Sequence, residues 1–270
     1  MRTTAVLFAL AALSPTPSTA DPALDALVAA YPDHLARYEG NDLIWKDGTR
    51  MPIADGRAEK TFQQLIEQPD IKDQFGFRYP LGAEVKPPAL NEDPGRIRFE
   101  PFFLKMYGDC RKGEVGKRLK PVAWMPKRGG DRLNVTTVNN VDGRLAAVVQ
   151  DLETLPAEMT KYLVPPAGTY NCRDILNTAR RSAHAFGAAL DINPKQADYW
   201  EFLRNRSGTF PWRNRVPGTI GEVFERHGFI WGAKWFHIDS MHFEYRPELI
   251  WLANQNKADR NDRPGIELSR

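Results

Sequence analysis

The sequence predicts an α+β fold: a small antiparallel sheet with flanking helices, preceded by an N-terminal wrapping subdomain. Three observations point there. Beyond residue 115, short runs rich in β-branched and aromatic residues alternate with amphipathic helical stretches. Before that point, residues 69–98 are rich in Pro, Gly and charge, which suits a chain that wraps and not one that builds a core. Two short stretches, residues 182–191 and 239–244, carry two histidines, His184 and His242, and three acids, Asp191, Asp239 and Glu244.

The chain has 270 residues, enough for one large domain or two small ones. A hydrophobic content of 42% and a charged content of 26% are ordinary for a soluble globular protein. With 37 basic against 34 acidic residues and no Lys/Arg run, the balance argues against nucleic-acid binding. Arg2, the apolar run over residues 5–13 and the small residues Ser18, Thr19 and Ala20 read as a signal peptide over residues 1–20. A secreted or periplasmic location is therefore expected. The apolar run is too short for a membrane span, and no cysteine stands near the cleavage site to carry a lipid. In an exported chain the two cysteines, Cys110 and Cys172, predict one disulfide. It would close a loop of about 60 residues and contribute on the order of 4 kcal/mol in the chain-entropy account.

Element by element, residues 21–38 have helical spacing broken near Pro32. Residues 43–45 and 51–53 flank Asp47 and Gly48, a hairpin turn signal. Residues 57–68 put Phe62, Leu65 and Ile66 on one helical face, and 99–107 form an apolar helix ending at Gly108. Residues 122–125 and 133–138 read as strands around a Gly129–Gly130 turn, and 144–155 as an amphipathic helix. Residues 169–173 and 188–193 read as strands, and 198–206 as a helix. A helix over 220–227 is closed by Gly228. Residues 229–231 and 241–245 complete the strands, and 247–256 form a closing helix. No internal repeat is visible. The expected organisation is a signal peptide (1–20), a wrapping region (21–114), a catalytic domain (115–256) and a flexible tail (257–270).

Spacing constrains the site. On one helix, residues seven apart lie roughly 10 Å apart along the axis, too far for His184 and Asp191 to share an ion held at about 2 Å from each donor. The segment must turn, and Gly187 permits it. A neighbouring strand then brings His242 as third ligand, and two imidazoles with one carboxylate leave the open fourth position of a catalytic zinc site. His237, which shares a strand face with Asp239, stands as the alternative to His242. A metal-activated water needs a base: Asp239, three residues before His242, is preferred, and Glu244, on the same strand face as His242, would orient it. Arg173, beside Cys172, is the candidate to bind a substrate carboxylate or a developing oxyanion. His34 and His227 carry no partner pattern and read as structural. Trp124, Trp231 and Trp235 could line the groove, although core packing is the commoner fate of each. HExxH is absent, so the helix-borne metalloprotease site does not apply.

The pattern Ser182-x-His184-x-x-Gly187-x-Ala189-x-Asp191, followed by Asp239-x-x-His242-Phe243-Glu244, resembles the zinc D-alanyl-D-alanine carboxypeptidase family of peptidoglycan peptidases, which includes the VanY-like enzymes. The run from Gly168 to Arg173 is similar to the extensin-like C-terminal branch of that group. The resemblance covers about residues 165–250. It implies zinc bound by His184, Asp191 and His242, Asp239 as general base, and peptidoglycan stem peptides as substrates. Many relatives have Glu where this chain has Asp239, so the resemblance does not say which bond is cleaved. The alternative is a non-catalytic cell-wall binding module that keeps the peptidase fold.

Overall fold

The computed structural model describes residues 20–176 and 178–261. Residues 1–19 of the expected signal peptide and residues 262–270 of the expected tail lie outside the described residues. Among the described residues, eight α-helices and eight strands form three small antiparallel sheets.

Helix α1 (Pro22–Ala30) is capped by Asp21, whose carboxylate accepts from the amides of Ala23 and Leu24. The chain then turns into β1 (Leu35–Glu39), β2 (Asp42–Trp45) and β3 (Arg50–Pro52), a meander in sequence order. The expected hairpin is its second turn, with Gly48 at φ +82°. Residues 35–38, expected to continue a helix, are strand instead: after Pro32 the apolar residues no longer recur at helical spacing, and β2 offers a pairing edge. Helix α2 (Phe62–Glu67) starts later than residue 57 because Thr61 and Gln64 form a reciprocal capping box. Helix α3 (Glu100–Tyr107) leads to Cys110, which is bonded to Cys172.

Strands β4 (Leu119–Ala123) and β5 (Arg132–Thr136) pair alone, and α4 (Val141–Leu152) packs against them. After the short α5 (Thr160–Leu163), residues 169–173 do not form the expected strand; only an isolated bridge joins Gly168 to Asp191. The third sheet has the order β6 (Ala189–Asp191), β8 (His242–Tyr245), β7 (Phe229–Trp231). Helix α6 (Trp200–Leu203) is one turn, and α7 (Gly218–Arg226) ends where Gly228 takes φ +88°. Helix α8 (Pro247–Asn261) continues past residue 257, where the tail was expected to begin; the residues there are ordinary helix formers.

One hydrophobic cluster runs from Leu24 and Leu27 in α1, through Trp45 and Phe102, to Phe224, Phe243 and Tyr245. Phe243 of β8 lies between Phe224, stacked at 3.7 Å, and Trp231, parallel at 5.7 Å. Such side chains contribute on the order of 2 kcal/mol each on full burial. Their burial holds β8, and with it His242, in one register. The residues expected to wrap share this core with the residues expected to form the catalytic part.

Candidate active site

The third sheet sets the site. Its antiparallel register places Asp191 on β6 directly opposite His242 on β8. Ala183–Phe186 form one 3-10 turn, closed by Gly187 at φ +67°, so the segment bends where the spacing required. A side chain at Gly187 would lie 2.8 Å from Leu119 and 3.1 Å from the amide of Thr136.

The turn aims His184 at the two strand residues. Its Nδ1 donates to the carbonyl of Thr169 at 2.7 Å. A carbonyl can only accept, so the neutral ring carries its proton there and presents the Nε2 lone pair inward. That Nε2 lies 3.2 Å from His242 Nδ1 and 3.3 Å from Asp191 Oδ2, while His242 Nδ1 lies 3.1 Å from Asp191 Oδ1. Four donors around zinc at about 2.05 Å and tetrahedral angles stand roughly 3.3 Å apart. The three side chains already have that separation. Three acceptors converging in this way repel one another unless a cation, a metal ion or a proton, sits among them. Two nitrogens and one carboxylate are a donor set that fits zinc.

Charge placement agrees. Burial alone would raise the Asp191 carboxyl, but His184 and His242 outweigh it and hold it below the usual carboxylate range. Burial alone would lower His242, yet its contacts with Asp191 and Glu244 push it up to about 9 without a metal. Asp239 is half-buried, and its Oδ1, shielded from solvent, has no hydrogen-bond partner. Burial, and then the neighbouring Asp191 charge, push it up to about 7. Asp239 is held tightly by its backbone: its amide donates to Gly232 at 3.0 Å, and its carbonyl accepts from His242 at 3.1 Å. A side chain at Gly232 would come within 2.4 Å of that carbonyl, so the approach needs glycine.

These groups open on a cleft of about 430 Å³ that is also lined by Arg96, Arg173, Tyr199, Trp200, Trp235 and His237. Arg173 is exposed, and its guanidinium donates to the backbone of Asp174 at 3.3 Å. His237 is not among the converging donors. Its Nδ1 and its amide both bind Asp93, at 2.7 and 2.9 Å, and its ring stacks on Phe62. His227 pairs with Asp151 at 3.0 Å, away from the cleft. Of the three tryptophans, Trp235 lines the cleft, while Trp124 and Trp231 are fully buried in the core. Sequence reasoning missed Asp93, Arg96, Arg98 and Tyr199. The first three lie far from the motifs in sequence, in a segment with no periodicity to draw attention to them; Tyr199 follows Asp191 by only eight residues, but no motif marks it.

His184, Asp191 and His242 form a cluster that could hold a metal ion, and Asp239 lines the same cleft. Residues 176–245 match the model of the protein family described as D-alanyl-D-alanine carboxypeptidase, a family of zinc peptidases acting on peptidoglycan. The match covers about a quarter of the chain and includes His184, Asp191, Asp239, His242 and Glu244. No curated protein and no solved structure matches the chain. No helix among the described residues is long and apolar enough to cross a membrane.

Proposed function

We propose that the cleft is the active site of an exported zinc peptidase that hydrolyses peptidoglycan stem peptides. His184, Asp191 and His242 hold the metal, Asp239 is the general base, and Arg173 binds substrate. The observation that carries this reading is the 3.1–3.3 Å convergence of three side chains beside the shielded, unpartnered Oδ1 of Asp239. The family match over the same residues supports the substrate class.

The chemistry a bound zinc ion supplies is Lewis acidity, which polarises a carbonyl and lowers the pKa of water. The rest falls to the chain. Asp239 takes the proton of the attacking water and returns it to the leaving amine as the peptide bond breaks. Its raised proton affinity suits both halves of that task, because a base that binds protons too weakly cannot deliver one later. A cation at Asp191 would weaken the repulsion between the two carboxylates and favour the ionised form of Asp239. Arg173 stands exposed at the cleft with most of its donors uncommitted, as recognition of a carboxylate or a developing oxyanion requires. Trp200, Tyr199 and Trp235 line the same cleft and limit water around the scissile bond.

Asp239→Ala should lower kcat by roughly 10²-fold to 10⁴-fold, the span a positioned base contributes, while zinc content stays at one ion per chain. Unchanged turnover in that variant contradicts the role of Asp239. Loss of zinc together with turnover would instead make Asp239 a ligand.

A further inference from the structure

We infer that Arg98 is a positioning residue of the metal centre, acting through Glu244 on His242, and that the segment 92–98 is therefore a working part of the site. The inference rests on reading His242 as a metal ligand. The segment lies outside the family-matched residues 176–245.

The contacts are specific. Arg98 grips Glu244 with a two-pronged guanidinium, Nε lying 2.7 Å from Oε1 and 2.9 Å from Oε2, with Nη2 on Oε2 as well. Glu244 is buried, and its Oε2 faces His242 Nε2 at 3.6 Å. The opposite ring nitrogen, Nδ1, points at His184 and Asp191. A carboxylate behind a ligating imidazole fixes the ring's orientation and keeps the proton on the far nitrogen. A buried carboxylate does this only while its own position is fixed. Glu244 has a rival cation, Arg246, whose Nη1 lies 3.8 Å from Oε1. Without the Arg98 fork, Glu244 is free to close on Arg246 and leave His242.

The segment is sewn to the chain that flanks β8 on both sides. Phe236 donates to the Glu92 carbonyl at 2.9 Å, the Trp235 indole to the Pro94 carbonyl at 2.7 Å, and Arg246 to the Gly95 carbonyl at 2.8 Å. Asp93 takes both the amide and Nδ1 of His237. Gly95, at φ +89°, sits so close to β7 and α8 that a side chain there would meet Ile230 at 2.3 Å and Leu249 at 2.9 Å. These bonds bring Arg98 to its place from 146 residues away in sequence.

The test is zinc affinity by competition with a chromogenic chelator, read independently of catalysis. Arg98→Met and Glu244→Gln should each weaken zinc binding roughly 10- to 100-fold, the usual cost of losing such a partner. The double variant should bind no more weakly than the poorer single one, since both changes break the same chain of contacts. Arg98→Lys keeps the charge but not the fork, so it should show a smaller loss in the same direction; it also serves if the methionine variant does not fold. Leu27→Ala, which weakens the core far from Glu244, should keep wild-type zinc affinity. Wild-type affinity in Arg98→Met, multiplicative losses in the double variant, or an equal zinc loss in Leu27→Ala each overturn the inference while leaving the metal centre intact. A wild-type chain that binds no zinc overturns the metal reading itself.

Discussion

At the residue scale, four groups carry most of the account, and each is defined by a neighbour as much as by its own chemistry. His184 faces inward because Thr169 occupies its other nitrogen. Asp191 stays ionised because two imidazoles face it, and Asp239 binds its proton firmly because its carboxyl is shielded near Asp191. The pH response follows. In the metal-free protein His242 has a proton affinity raised to about 9, above its ordinary value. Its stabilising contribution is fully present below the unfolded value, near pH 6.5, and is lost as pH rises through about 9. Asp239, raised to about 7, pushes in the same direction at lower pH. Zinc must displace the His242 proton, so its binding strengthens as pH rises and levels off above about 9. The difference in Tm between zinc-loaded and metal-free protein should therefore grow from pH 6 to pH 9; thermal melts with zinc and with chelator measure it, and a pH-independent difference would contradict the assignment of His242. The local motifs made these four residues legible in sequence, because their spacing is short and their residue types are the usual ligands and bases. Arg98 and Asp93 were not legible. Their partners Glu244 and His237 are 146 and 144 residues away, and nothing in a Pro- and Gly-rich stretch signals which charge will meet which.

At the element scale, the site depends on a sharp turn feeding a three-residue strand. Spacing alone required the turn, and Gly187 supplies it with a left-handed backbone and a close approach to β5. Gly187→Ala should cost about 1–3 kcal/mol, the usual range for a side chain forced into such a conformation, and should weaken zinc binding by moving His184. Chemical denaturation and zinc titration on the same variant check both effects, and a variant as stable as the parent would show that the turn tolerates a side chain. Strands β5, β7 and β8 were legible because their β-branched and aromatic residues and flanking turns agree, whereas β4 was expected at 122–125 and runs over Leu119–Ala123, with a Lys and a Pro that hid its start. The segment 169–173 misled because its composition suits a strand, while its neighbours offer it only scattered backbone bonds, Asn171 to the His184 carbonyl and Ser182 to the Arg173 carbonyl, and no continuous ladder. Residues 35–38 misled for the opposite reason: a helical-looking stretch was claimed by the edge of β2, a tertiary effect that no local pattern carries.

At the scale of the whole molecule, the expected boundary near residue 114 does not appear in the packing. Helix α1 lies against α8, one hydrophobic cluster spans both parts, and Cys110 on one side is bonded to Cys172 on the other. Tyr31 donates to the buried Glu248 at 2.7 Å, and Tyr79 to Glu225 at 2.9 Å, so the polar interior crosses the same line. Composition suggested a wrapping stretch but could not show that Arg98 within it meets the buried Glu244, since burial of single charges is decided by three-dimensional pairing. The central claim is zinc-dependent hydrolysis of stem peptides, and it meets its most direct test in one digestion. Purified muropeptides are incubated with the zinc-loaded protein, with the chelated protein and with chelated protein restored by zinc, and the products are weighed by mass spectrometry. The account predicts shortened or uncrosslinked stem peptides in the first and third reactions and intact ones in the second. Intact muropeptides in all three, from a folded chain shown to hold zinc, would contradict it.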